Sequence, residues 1–356
     1  MTAVGKIQFG GARLLLGRNG QCGVLLKSPV NDSVMSVSRG TSSCLWKGGL
    51  ELNIRVEQRQ ALELPFSFVR GKRLSELTTW GIGGPAKLFV EVHDESQLVS
   101  TLRYCKKHSL HHFIIGKGSN CLFDDRGFDG CVILNSLNFL ERHGNGVYRV
   151  GGGHAFNRLG IQCSNDGFTG LEFACGIPGT VGGAIVMNAS ANGQETSEVL
   201  KSVEILNANG EKIVHVKEKS SPAYGYRRSP YQTMTGFFAI VAAKFELSLC
   251  PDAKQRHRAF LERRKQTQPL TERSAGCVFR NPGDGFESAG ALIEQAGLKG
   301  FSVGQAKVSD VHANFLVNAG GARAVDMLAL IRSVKEQVYS KFGMELTEEI
   351  IYIPYS

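Results

Sequence analysis

Long apolar runs are missing from this 356-residue chain. The longest, Phe237–Ala243, is seven residues and falls far short of the ~18–20 that a membrane helix needs. It reads as a buried strand. The nine cysteines include no CxxC pair. An odd number in a chain of this length argues for free thiols in a reducing compartment, and against a disulfide framework or a zinc site. No G-x-G-x-x-G fingerprint and no Walker A loop is present. Neither an internal repeat nor a low-complexity tract appears after residue 62. Acidic residues are scarce at the start: residues 1–62 hold eight Lys/Arg against three Asp/Glu.

That scarcity decides how the charge is read. A net charge of +9 invites a nucleic-acid partner, yet more than half of the excess lies in residues 1–62. The same stretch clusters Ser33, Ser36, Ser38, Thr41, Ser42 and Ser43. Composition poor in acids and rich in Arg and Ser is that of a transit peptide, so residues 1–62 are expected to be a disordered organellar leader. A basic tail with no targeting role is the alternative. The apolar runs there are too short for a secretory signal.

Glycine is plentiful, 43 residues or about 12%, against a usual ~7%. Without a G-X-Y period, it must serve tight turns and close backbone approach. Asp94 followed by Gln97, with Leu98, Leu102 and Cys105 at helical spacing, predicts a helix over 94–110. Strands are expected at 112–115, 132–134, 147–150, 203–206, 212–216 and 237–249. Near Pro251 the composition changes, and the basic residues of 252–269 predict a solvated helix opening a new domain. The stripe Met327, Leu330, Ile331, Val334, Val338 and Phe342, followed by Gly343, predicts a long helix with a glycine stop. Ile350–Ile353 reads as a last strand. The mixture is α+β, without a regular βαβ cadence.

Several motifs carry possible chemistry. Gly116-Lys117-Gly118-Ser119-Asn120 follows a strand and would turn backbone N–H groups toward an anion; a tight turn with no ligand is the other reading. Between Gly170 and Gly183 five glycines and Pro178 allow backbone to approach a flat or phosphorylated ligand; close helix–sheet packing is the alternative. Arg227-Arg228 offers a charged anchor or a solvated surface. Cys277 follows a glycine in an apolar turn. Of Glu348 and Glu349, one must face inward on a strand and needs a partner or a function.

In this order the motifs resemble the UDP-N-acetylenolpyruvoylglucosamine reductase (UDP-N-acetylmuramate dehydrogenase) family. The carriers are Ile82–Ala86, Gly116–Asn120, Gly170–Ala184 running on to Val186-Met187-Asn188-Ala189, Tyr224–Ser229, Arg263–Pro269, Ser274–Pro282, Gly297–Gly300, His312–Asn318 and Glu349-Ile350. They span about residues 63–356 and resemble the compact class of the family.

The resemblance implies an FAD-binding region of two α+β subdomains over 63–250, of the vanillyl-alcohol-oxidase (PCMH) type. An α+β substrate-binding domain over 251–356 would follow. Gly83, Gly84, Pro85, Gly116, Lys117, Gly118, Ser119, Asn120, Ile177, Pro178, Gly179, Thr180, Gly182 and Gly183 would hold FAD. NADPH would reduce it, and the enolpyruvyl ether of UDP-N-acetylglucosamine would then accept hydride and a proton. Arg227 would bind the carboxylate and stabilise the enolate, Glu349 would assist, and Cys277 would donate the proton. The family usually has serine at position 277. Tyr226, Asn281, His312 and Lys265, the last with Arg264 as alternative, would meet the sugar nucleotide.

No metal, nucleic-acid or membrane partner is implied. Peptidoglycan chemistry behind an organellar leader points to the plastid stroma, with the cytoplasm as the alternative. Two other readings are a flavin oxidase of an alcohol or sugar sharing the cofactor fold, and a basic nucleotide- or nucleic-acid-binding module.

Overall fold

The computed structural model describes residues 68–355 apart from 208, 218–223, 234–236 and 284, together with short backbone strands among the first 52 residues. It separates into two units, Met1–Glu63 and Leu64–Ser356. In the first, Gln8–Phe9, Ala12–Leu16, Cys22–Lys27 and Asp32–Val37 pair in sequence order as an antiparallel sheet. The expectation of a disordered leader falls otherwise on residues outside those described.

The second unit begins its sheet structure with Ala86–Val92, His112–Ile115 and Phe128–Asn135, a parallel sheet with Phe128–Asn135 in the centre. Helix α1, Glu95–Lys107, lies in the connection between the first two strands. Its start is set locally. The Asp94 carboxylate accepts from Gln97 N at 2.8 Å, and Gln97 Oε1 accepts from His93 N at 2.9 Å, so two free donors at the helix start are satisfied. Leu98, Leu102 and Cys105 then pack on Val90, Val92 and Ile133.

A five-stranded antiparallel sheet follows, in the order Leu140–Arg142, Val147–Gly151, Phe237–Glu246, Leu200–Asn207, Lys212–Val216. Helix α2, Phe156–Asn165, and the short helix α3, Val181–Val186, share its core with Tyr148, Val203 and Phe245. Helix α4, Ala253–Thr267, belongs to this layer too. Phe260 packs on the same core, Arg256 pairs with the fully buried Glu172 at 2.8 Å, and Cys175 Sγ meets His257 O at 3.5 Å. The domain boundary expected at 250 therefore falls one helix early. The basic helix is solvated on one face only.

The last layer is an antiparallel sheet of Arg273–Cys277, Phe315–Asn318, Ala306–Val308 and Ser302–Val303. Against it lie α5, Ala289–Gln295, and α6, Ala324–Phe342. The expected stripe of α6 is buried through Val338, while Phe342 is 37% exposed. Gly343 ends the helix at φ 67°, a left-handed stop that costs glycine no Cβ clash. Two features tie this layer to the first. Asp125 accepts from Ala324 N (2.7 Å) and Val325 N (3.1 Å) at the start of α6. Ile351–Ile353 pairs in parallel with Cys121–Phe123. Among the described residues, no helix is long and apolar enough to cross a membrane, and no group of three His/Cys/Asp/Glu is placed to hold a metal ion.

Candidate active site

The three layers enclose a cavity of about 610 Å³, within the range usual for small-molecule sites. One wall is the Gly116–Asn120 turn that ends the strand His112–Ile115; facing it is Ile177–Gly183, which leads into α3. The two loops touch closely. A Cβ on Gly116 would lie 2.4 Å from Thr180 Oγ1, and one on Gly118, at φ +56°, 2.3 Å from Leu77 O. Thr180 is held by its own task, accepting from Gly183 N at 3.3 Å.

Other glycines of these loops face space. A Cβ on Gly179 would meet only Ser119 Oγ, and one on Gly183 only Thr180 Oγ1, each at 3.6 Å. The N–H groups of Lys117, Gly118 and Ser119 make no hydrogen bond among the described residues. Backbone donors left free beside an open, side-chain-free wall are what an anionic, flat dinucleotide requires. The residues present thus fit FAD.

Arg227, Cys277 and Glu349 come from three separate segments and all line this cavity. Arg227 Nε donates to Glu349 Oε1 at 2.5 Å and Nη1 to Ser190 Oγ at 2.7 Å; Nη2 has no partner among the described residues. Adjacent Arg228 is exposed, so of the two arginines one points in and one out. Glu349 Oε2 is buried with no hydrogen-bond partner. Burial lifts this carboxyl above its ordinary value, and the charge and hydrogen bond of Arg227 oppose the rise. Glu348 instead pairs with Lys335 at 2.9 Å on the surface. Cys277 is a free thiol. Burial first, then the Glu349 charge, push it up to about 12, against the opposing pull of Arg227 and Arg264.

Arg264 and Gln268 reach the cavity from the end of α4. Arg264 lies over Gly176, where a Cβ would come within 2.6 Å of its Cδ, and its buried Nε has no partner. Burial pulls this guanidinium below its ordinary value. Gln268 sits at φ −133°, ψ 146°, the extended state imposed on a residue before proline, here Pro269. Its Oε1 is also buried without a partner. Of the two residues named from the sequence for the diphosphate, Arg264 lines the cavity and Lys265 does not. The Lys265 side chain is 65% exposed and pairs with Glu262, because one step along a helix turns a residue by about 100°.

Other expected residues also lie away from the cavity. Gly83, Gly84 and Pro85 do not line it. A Cβ on Gly84 would lie 2.2 Å from Asp125 O, and Pro85 O would sit 1.8 Å from a Cβ on Gly127, so these glycines serve backbone-to-backbone packing. Tyr226 is 45% exposed, stacks on the Arg227 guanidinium at 4.9 Å and accepts from Asn281 N at 3.3 Å. Asn281 Oδ1 accepts from Ala289 N at 3.1 Å. His312 accepts from Asn314 N at 3.2 Å and packs on Phe315; burial lowers its basicity. None of the three lines the cavity. The sequence reading passed over Ser190, although it follows directly on the Val186–Ala189 motif. Gln268 was given no role either, although it lies inside the Arg263–Pro269 motif.

Comparison with known proteins agrees with this geometry. Residues 86–216 match the FAD binding domain family, and residues 268–353 match the C-terminal domain of UDP-N-acetylenolpyruvoylglucosamine reductase. The reductase of Protochlamydia amoebophila is 50% identical over 294 residues, which is 83% of this chain and 96% of that protein. The reductase of Chlamydia abortus is 42% identical over 83% of this chain and 97% of its own. The crystal structure of the Thermus caldophilus reductase is similar with a TM-score of 0.68 at 33% identity, covering 81% of this chain and 98% of that one. With the cofactor cradle, the Arg227–Glu349 pair and the closing C-terminal layer joined in one unit, this chain belongs to the UDP-N-acetylenolpyruvoylglucosamine reductase family.

Proposed function

We propose that the cavity reduces the enolpyruvyl ether of UDP-N-acetylglucosamine to UDP-N-acetylmuramate, with NADPH as reductant and Cys277 as the proton donor. The enzyme is an oxidoreductase of peptidoglycan precursor synthesis, so the proposal concerns how its residues do the work. FAD, held by Gly116–Asn120 and Ile177–Gly183, supplies the hydride from N5 when bound. The convergence of Arg227, Cys277 and Glu349 beside those two loops carries the reading.

Reduction of the enolpyruvyl carbon places negative charge on the carboxylate and its enolate. Arg227 meets that charge with a cation already fixed in place, so little reorganisation is needed as the charge develops. Glu349 holds Arg227 by Nε and Ser190 holds it by Nη1, which leaves Nη2 for the substrate. Cys277, pushed up to about 12, keeps its proton at neutral pH and gives it up only to a strong base such as the enolate. The thiolate left behind is stabilised by Arg227 and Arg264, the cations that pull its acidity the other way.

Stopped-flow spectroscopy of the two half-reactions tests the assignment. Cys277→Ala should slow flavin oxidation by the enolpyruvyl substrate by about 10²–10⁴ and leave flavin reduction by NADPH within about twofold. An equal fall in both half-reactions would remove Cys277 from proton transfer.

A further inference from the structure

Asn188 belongs to a motif, Val186-Met187-Asn188-Ala189, that the reaction as described leaves unused. Its side chain is fully buried, and its hydrogen-bonding groups are engaged. Nδ2 donates to Glu195 Oε2 at 2.8 Å and to Gly225 O at 2.9 Å, while Oδ1 accepts from Ser197 N at 3.0 Å. Its φ is +41°, a left-handed state that asparagine tolerates.

Gly225 opens the turn that carries Arg227. The turn is closed in both directions, Gly225 N to Arg228 O at 3.1 Å and Arg228 N to Gly225 O at 2.9 Å. Within it Arg227 sits at φ +53°, a conformation that a bulky side chain keeps only where its surroundings impose it. The run after α3 supplies those surroundings. Asn188 grips the turn at Gly225, Ser229 Oγ ties its far side to Val186 O at 2.7 Å, and Ser190 Oγ takes the arginine head.

We infer that Asn188 is a positioning residue for the reaction. By holding Gly225 O it keeps Arg227 in the left-handed turn and sets where the guanidinium meets the substrate carboxylate. The inference rests on the reading of Arg227 as the carboxylate-binding cation. The residue type follows from the partners: aspartate would set an acceptor against Gly225 O and the Glu195 carboxylate, and alanine would release the turn.

The test is a double-mutant cycle on the FAD-loaded enzyme, read as the two half-reactions. Asn188→Ala should slow flavin oxidation by about 10–100-fold, the order expected for misplacing a reacting group by about 1 Å. Flavin reduction by NADPH should stay within about twofold. Added to Arg227→Ala, the same substitution should change flavin oxidation by less than about twofold, because the group it positions is gone. A wild-type rate in Asn188→Ala overturns the inference, as does a full further loss in the Arg227→Ala background. A wild-type rate in Arg227→Ala would instead overturn the reading of Arg227. If Asn188→Ala does not fold, Ser229→Ala loosens the same turn and should slow flavin oxidation several-fold, with the loss again absent beside Arg227→Ala. An additive loss there counts against the inference.

Discussion

The acidity of Cys277 can be measured directly. A free cysteine with a pKa of about 8.5 is roughly one quarter thiolate at pH 8. A thiol pushed up to about 12 is about 10⁻⁴ thiolate, a fall of roughly 2 × 10³. The more basic thiolate recovers part of this. With a Brønsted slope of about 0.4–0.5 for thiol–disulfide exchange, 3.5 units of basicity return roughly 50-fold in nucleophilicity. The net expectation is exchange about 50-fold slower than a free cysteine, before any loss from restricted access. The assay is modification of Cys277 by 2-hydroxyethyl disulfide, followed by mass spectrometry of the peptide that contains it. The rate should climb about tenfold per pH unit from 7 to 10 with no plateau, since thiolate rises with pH everywhere below the pKa. Glu349→Gln removes the charge that helps hold the proton, so it should speed the reaction. A plateau above pH 9, or a rate matching free cysteine, would refute the reasoning; slower exchange in Glu349→Gln would refute the electrostatic part.

Asp125→Ala removes two charge-assisted bonds at the start of α6 and should cost about 2 kcal/mol; thermal unfolding should shift down by about 4 °C, and an unchanged midpoint would show that the cap contributes nothing. Gly179→Leu puts a side chain into the cavity, where a Cβ alone meets only Ser119 Oγ at 3.6 Å. It should give a folded but colourless protein, and full retention of flavin absorbance would place the cofactor elsewhere.

Where structure is set by near neighbours, the sequence discloses it. Asp94 and Gln97 announce α1 because the cap is built from those two side chains, and Gly343 announces the end of α6 because only local backbone handedness is at stake. The pattern narrows the inward acid to Glu348 or Glu349 and the family resemblance picks Glu349; the structure turns Glu348 to Lys335 and Glu349 to the cavity. What escaped depends on distant partners. Arg264 rather than Lys265 lines the cavity because Gly176, far along the chain, leaves room for it. Helix α4 looks like a free basic helix because only Ala253 and His257 are fully buried in it, while its docking rests on Glu172. Gly84 shows glycine's need without its reason: the same residue serves a ligand or a second backbone, and only the fold tells which.

The parallel pairing of Ile351–Ile353 with Cys121–Phe123 also sets a clock. Tyr352, which donates to Asp124, is separated from it by 228 residues. At about 5–20 residues per second, roughly 10–50 s of synthesis separate the two. For that interval Leu122 and Phe123, both fully buried in the finished protein, have no partner strand from the far end of the chain. The same ribosomal delay governs Glu349, which adjoins the late strand. The flavin side of a nascent chain is therefore obliged to wait, with apolar surface and a strand edge open, and its yield in the cell should follow elongation rate and chaperone supply as closely as it follows final stability.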